Sequence, residues 1–310
     1  MRVIFLGTPI FSVKVLESIN ASNHEVVAVV TQTDKVNGRN GKISYSKVKE
    51  RALELGIDVL QYENISKQGE EELRALNPDI MVTCAYGQIL RSNILDICPI
   101  INVHASLLPK YRGSSPVQWA LINGEKEIGV TIMKTELGID TGDMILKRSI
   151  ELSGEENAEE ALAKLSDLGS ELIVEALDLI EKGEEQYVKQ NESESTHCRM
   201  LEKADGYIDF SKSSIEIKNF VRGVNPWPGA FTDTPNGKLK IHRCEVVEGE
   251  GGNSVGEVVV SDHKKGLIVK CGEGYLKLLV VQGENSKAMP TSAYLLGKKI
   301  EVGSVLGGKE

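Results

Sequence analysis

Asn102 and His104 stand two residues apart in the apolar stretch IINVHAS, and on an extended strand that spacing turns both side chains to one face. An amide, which can donate hydrogen bonds, then lies beside an imidazole, which can exchange a proton near neutral pH. Asp140, 36 residues after His104, adds a carboxylate in the loop Leu137-Gly138-Ile139-Asp140-Thr141-Gly142-Asp143, where two glycines permit a tight backbone. Taken singly these features are bland: a strand histidine is more often a hydrogen-bonded core residue, and an aspartate near glycines usually marks a turn. Their joint occurrence at the ends of what should be neighbouring strands points instead to hydrogen-bonding and acid–base chemistry. Between them runs Ser106-Leu107-Leu108-Pro109, in which Pro109 ends the strand ladder and leaves a rigid, largely apolar loop suited to a flat ligand.

Positioning such groups needs a scaffold, and the first half of the chain reads as alternating strands and helices. RVIFLG, EVVAVVTQ, GIDVLQY, DIMVTCAY, IINVHAS and GVTIMKT are strand-like runs. IFSVKVLESI, SKVKERALELG, KQGEEELRAL and SPVQWALING have helical spacing. Continuous apolar strands separated by helices indicate a Rossmann-like α/β domain whose mostly parallel sheet is covered on both faces. Functional residues in such sheets gather beyond the carboxyl ends of the strands, where Gly7-Thr8-Pro9, Ala85-Tyr86-Gly87 and His104-Ala105-Ser106 fall. A proline in place of the second glycine of GxGxxG argues against a dinucleotide at Gly7.

A long amphipathic helix is expected over 157–182, and after Gly183 the sequence turns polar and reads as a linker. Beyond it, KLKIHRCEVV, VGEVVVSD, GLIVKCG and YLKLLVVQG are short strands between glycine-rich turns, as in a small, OB-like β-barrel. The expected division is therefore a catalytic domain over 1–184, a linker over 185–204 and a C-terminal β-barrel domain over 205–310.

Composition narrows the function classes. The net charge of −9 and pI near 5.3 do not suit a protein that coats nucleic acid non-specifically. The charge is uneven, however: residues 1–204 hold 22 Lys and Arg against 32 Asp and Glu, whereas 205–310 hold 14 against 13, which leaves room for a local basic surface. The opening MRVIFLGTPIF lacks a signal-peptide core, and no stretch reaches the roughly 20 apolar residues of a membrane span. Five scattered cysteines without a CxxC pair indicate neither a disulfide framework nor a zinc site, so a cytoplasmic protein without membrane contact or metal is expected.

Asn102-Val103-His104 followed by SLLPKYRGSSP, with Asp140 beyond, resembles the formyltetrahydrofolate-dependent formyl transfer enzymes. The resemblance implies a catalytic trio of Asn102, His104 and Asp140. It implies a folate site lined by Ser106, Leu107, Leu108 and Pro109, with Tyr86 and Gly87 beside it. The formyl donor would be 10-formyltetrahydrofolate. Three further segments are similar to the family within that group that formylates methionyl-tRNA. DKVNGRNGKISYSKVK, from Asp34 to Lys49, resembles its basic insertion, with Arg39 and Lys42 in the acceptor-engaging positions. In place of the usual two lysines after Gly-Arg-Gly and proline before Val-Lys, this chain has Asn40-Gly41-Lys42 and Lys47. Asn225-Pro226-Trp227-Pro228-Gly229 resembles the turn after the linker, and the final strands resemble the C-terminal barrel.

The implied partner is initiator methionyl-tRNA, met by a monomer. Lys238 and Lys240 alternate onto one face of a strand, with Arg243 nearby, as a basic patch for the tRNA or as a solubilising edge. Asn102 and His104 are expected to donate to the oxyanion of formyl transfer, while Asp140 orients the imidazole and helps to collect the amine proton. Rival readings share part of the pattern: a sugar-nucleotide N-formyltransferase, a non-catalytic folate- or RNA-binding module, and a hydrolase releasing formate.

Overall fold

The protein's structure, a computed structural model, describes residues 1–37 and 41–307, without the side chains of Asn37 and Lys42. The chain divides into two compact units. One comprises residues 1–116, 127–151 and 162–198, and the other 117–126, 152–161 and 199–310.

The first unit is built on strands β1 (Arg2–Gly7), β2 (Glu25–Thr31), β3 (Val59–Gln61), β4 (Ile80–Cys84), β5 (Ile100–His104), β6 (Glu127–Lys134) and β7 (Met144–Glu151). Their order is β7-β6-β5-β4-β1-β2-β3. The stretch from β5 to β3 is parallel throughout, and its strands are Val- and Ile-rich because both faces are covered. On one face Gly169 of helix Ala158–Lys182 lets that helix approach Val103, where an added Cβ would stand 3.1 Å from Cγ1.

The strand order reverses between β1 and β4, which places a crevice at their carboxyl ends. Gly7 pairs with Cys84 there, and an added Cβ at Gly7 would meet Phe5 at 2.7 Å. The loops beyond are tied together by Thr8 Oγ1, which donates to the Tyr86 carbonyl at 2.9 Å.

One expectation changes in a way that matters for the site. GVTIMKT does form a strand, β6, but it runs antiparallel to β5, with Lys134 opposite Ile101 and Thr131 opposite His104. The loop after β6 therefore leaves at the level of the start of β5 and must turn back to bring Asp140 to His104. The two do not sit at the carboxyl ends of parallel neighbours.

The stretch 185–204, read from its polarity as a linker, is held to structure over most of its length. Val188 bridges Met144, and His197–Cys198 pairs in parallel with Arg112–Gly113. Residues through Cys198 belong to the first unit.

The second unit contains β8 (Ala230–Thr234), β9 (Gly237–Val247), β10 (Val258–Asp262), β11 (Gly266–Lys270) and β12 (Tyr275–Gly283). They form an antiparallel sheet in the order β8-β9-β12-β11-β10. The tail beyond β12 reaches both edges of the sheet. Val258 N donates to Ser304 O at 2.8 Å on the β10 side, and Gly307 N to Asp233 O at 3.2 Å on the β8 side. A helix absent from the sequence reading, Ser214–Gly223, starts at a capping box in which Ser213 and Glu216 bond each other's backbone N–H groups. Its Ile217 and Val221 enter the core with Leu239, Ile241, Leu276 and Leu278.

Candidate active site

Asn102 lies on β5, opposite Thr83 of β4. The Thr83 hydroxyl donates to Asn102 Oδ1 at 2.9 Å, which fixes the carboxamide with its oxygen turned inward and its NH2 outward. Among the described residues no partner takes those two N–H groups, so the amide is a preset donor.

His104, at the end of the same strand, is buried. Its Nε2 lies 3.0 Å from the carbonyl oxygen of Tyr111. A carbonyl only accepts, so Nε2 carries the proton and Nδ1 is the ring atom left for chemistry. Nδ1 faces Asp140 Oδ2 at 3.6 Å. The same carboxylate oxygen accepts the backbone N–H of Gly113 at 2.8 Å. Asp140 reaches this position from a left-handed backbone, φ 52°, in the loop that turns back over β5. Of the trio expected from sequence, His104 and Asp140 face each other and Asn102 lies two residues before His104 on the same strand, with one difference in detail: the Nε2–H of His104, expected to serve an oxyanion, is already given to Tyr111.

The folate-lining candidates divide by where their side chains go. Ser106, Leu108 and Pro109 are buried. Ser106 Oγ donates to Lys110 O at 2.7 Å, Thr131 Oγ1 donates to Ser106 O at 2.7 Å, and Leu108 N donates to Thr131 Oγ1 at 3.2 Å. These groups therefore set the loop's shape, and the Leu108–Pro109 peptide is cis. Leu107 is half-buried against Gly129. Tyr86 turns its ring into the core among Ile4, Leu6 and Met81, and burial pushes its phenol up to about 12. Its backbone carbonyl is the part at the crevice, bonded by Thr8 and by Gln32 Nε2 at 3.0 Å. Gly87 is exposed with φ 89°, and an added Cβ there would meet only the Gln32 amide, at 3.4 Å. Such open backbone at the switch point fits a flat ligand.

Of the acceptor-binding candidates, Arg39 lies outside the described residues, as does the side chain of Lys42. The strands beside them, Lys35–Asn37 and Lys42–Ser44, form a hairpin. Its base is clamped by Asp34 and Lys49, 2.7 Å apart, with Gln61 bonding both. The Lys49 ammonium holds the Asp34 carboxyl below its usual range. In the second unit Lys238 and Lys240 are exposed on one side of β9 while Leu239 and Ile241 are buried on the other. Lys238 Nζ stands 4.4 Å over the Phe231 ring, and Arg243 is exposed beyond a bulge. In the turn Asn225–Gly229, Trp227 is half exposed and Asn225 Nδ2 donates to His242 O at 2.9 Å.

Among the described residues, one group of side chains lies close enough to share a metal ion: His24, Asp178 and Glu181, none of which belongs to the trio. Thr83, Tyr111 and Gly113 were not anticipated. Thr83 was invisible without the register of β4 on β5, and the other two act through backbone atoms, which carry no side-chain signal.

Residues 1–177 match the family model described as formyl transferase, and residues 200–299 match that described as formyl transferase, C-terminal domain. The methionyl-tRNA formyltransferase of Caldanaerobacter subterraneus subsp. tengcongensis is 45% identical over 310 residues, covering 99% of this chain and 100% of that one. That of Agathobacter rectalis is 44% identical over 307 residues, with 98% and 99% covered. Among solved structures, a sugar 3N-formyl transferase in the presence of dTDP and 5-N-formyl-THF superposes with a TM-score of 0.66 at 18% identity. It covers 93% of this chain and 99% of its own, a likeness of fold.

Proposed function

This chain belongs to the methionyl-tRNA formyltransferase family, and we propose that Asn102, His104 and Asp140 are the residues with which it transfers formyl. The protein is a formyltransferase that moves a one-carbon group from formyltetrahydrofolate to the amino group of methionyl-tRNA for translation initiation. The donor is 10-formyltetrahydrofolate, taken as a substrate at the crevice beside β5, and the acceptor is the neutral amine of initiator methionyl-tRNA.

The carrying observation is the arrangement of His104: Nε2 fixed on Tyr111 O, Nδ1 turned to Asp140 Oδ2 at 3.6 Å, and a preset Asn102 amide on the same strand face. When the amine attacks the formyl carbon, its new C–N bond leaves negative charge on the formyl oxygen. Asn102 Nδ2 donates to that oxygen, a contribution worth roughly 10²–10³ in rate. His104 takes the proton lost by the amine at Nδ1, and Asp140 stabilises the imidazolium. The same proton returns to the folate nitrogen as its bond to the formyl carbon breaks, so the exchange needs no net proton. Gly113 N–H keeps the carboxylate facing the ring.

Lys238 and Lys240, exposed on β9, serve the tRNA backbone, together with the insertion that contains Arg39 and Lys42. The methionyl-tRNA formyltransferases that are 45% and 44% identical over nearly the whole chain favour this acceptor over an amino sugar. Incubating the protein with 10-formyltetrahydrofolate and, separately, charged initiator tRNA, charged elongator tRNA and a dTDP-amino sugar tests the acceptor. Formylmethionine on the initiator alone is expected; a formylated sugar in its place would overturn the assignment.

A further inference from the structure

Gln190, in the stretch read as a linker, has every hydrogen-bonding group of its carboxamide committed. Oε1 accepts from Arg112 Nε at 3.0 Å, and Nε2 donates to the carbonyls of Asp140 and Gly142, each at 2.8 Å. Arg112 is 2% exposed, and its two terminal nitrogens meet the Glu192 carboxylate at 3.0 and 2.8 Å. A guanidinium so buried needs such partners, one at each nitrogen here, because a charge without them is costly inside a protein.

What these two side chains hold is the catalytic pair. Arg112 lies between Tyr111, whose carbonyl takes the His104 Nε2 proton, and Gly113, whose N–H donates to Asp140 Oδ2. Gln190 grips the other end of the same carboxylate's residue, at the carbonyl of Asp140, where the backbone is left-handed. Such a conformation persists when its surroundings over-determine it. The contacts close a ring: His104 to Tyr111, along the chain to Arg112, across to Gln190, on to Asp140, and back to His104 over 3.6 Å.

We propose that Gln190 and Arg112 are positioning residues for formyl transfer, holding His104 and Asp140 in register without touching substrate. The proposal rests on the proton-moving role given to that pair. Its consequence is specific: loosening Gln190 should slow the chemical step and alter its pH response while leaving substrate binding and folding in place.

The test uses the full-length protein and four variants: Gln190→Leu, Gln190→Glu, Asp140→Asn, and Gln190→Leu combined with Asp140→Asn. Gln190→Glu keeps an acceptor for Arg112 but has no donors for the two carbonyls. Both single Gln190 variants should lower kcat about 10- to 100-fold, as misplacement of about 1 Å does elsewhere. KM for donor and tRNA should stay within about threefold and the pH profile of kcat should shift; the melting midpoint should fall by a few degrees, because buried partners of Gln190 lose a hydrogen bond, with both variants still folded at the assay temperature. The combined variant should be no slower than Asp140→Asn alone, because both remove one function. A wild-type kcat and pH profile in Gln190→Leu, with Asp140→Asn inactive, would overturn the positioning role and leave the role of Asp140 standing. Wild-type turnover in Asp140→Asn would overturn the underlying assignment. A combined variant slower than Asp140→Asn alone would show that Gln190 acts independently of Asp140 and would reduce it to a structural part.

Discussion

His104 and Asp140 meet across 3.6 Å with the other ring nitrogen already bonded to the Tyr111 carbonyl, so the pair has one free axis along which to pass a proton. Asp140→Asn keeps the size and the Gly113 contact but removes the charge proposed to stabilise an imidazolium. Its kcat should fall roughly 10²–10⁴-fold, the range for a lost acid–base partner. KM for the formyl donor should change little, and far-ultraviolet circular dichroism should match the parent. His104→Ala should lose turnover similarly while retaining donor affinity by titration; unchanged turnover in either variant would remove that residue from the chemistry.

Thr83 extends the site by one layer. Its hydroxyl bonds Asn102 Oδ1 and, at 3.3 Å, the Ile101 carbonyl. Thr83→Val nearly preserves shape and removes the bond that points the Asn102 NH2 outward. The loss expected is about tenfold in kcat, less than the roughly 10²–10³ for deleting an oxyanion donor outright. Asn102→Ala should show that larger loss, and the combined variant should be no worse than Asn102→Ala alone. An additive result would show that Thr83 acts on something other than the amide.

Much of this arrangement could be read from residue order. Period-two spacing placed Asn102 and His104 on one face, and continuous Val and Ile runs gave the parallel sheet. What stayed hidden shares a physical reason. The direction of β6 depends on how a loop and short helix return the chain, and no residue type encodes that. The side chains of Tyr86 and Leu108 are apolar enough to line a ligand or to fill a core, and the fold sends them to the core. Gln190 stands in a run whose polarity reads as solvent exposure, yet its polarity is spent inside. The helix Ser214–Gly223 was legible, since Ser213 and Glu216 have capping-box spacing before Ile217 and Val221.

The cysteines carry a chemical prediction. Burial pushes Cys84 and Cys244 up to about 12 and Cys98 and Cys271 up to about 11, and it raises Cys198 as well. The thiolate is the nucleophile, so the native protein at pH 7.5 should react slowly with iodoacetamide, and all five cysteines should label on denaturation. The same shifts set a sign for stability. An unfolded thiol gives up its proton near pH 8.5 while the folded one keeps it to about 11–12. Unfolding then releases protons, and stability should fall as pH rises from about 8.5 through that range. A urea midpoint at pH 10 equal to that at pH 7.5 would contradict the burial of these thiols.

The acceptor makes the remaining prediction, and it turns on which cations are exposed and without a carboxylate bound to them. In the insertion, Lys49 is bound to Asp34 and Gln61, with its ammonium 4.2 Å from the Tyr45 ring centroid, so its charge serves the base of the hairpin. Lys238 and Lys240 stand exposed on β9, backed by buried Leu239 and Ile241, and their substitution leaves the core intact. Each phosphate neutralised releases counterions and contributes about 0.9 to the slope of log K against log salt. Replacing both lysines with alanine should weaken tRNA binding at low salt and flatten that slope by about 1–2, while the rate at saturating tRNA stays at the parental value. Filter binding across a salt series measures the slope directly. A variant with the parental slope would make these lysines a solubilising edge and move the tRNA footprint elsewhere.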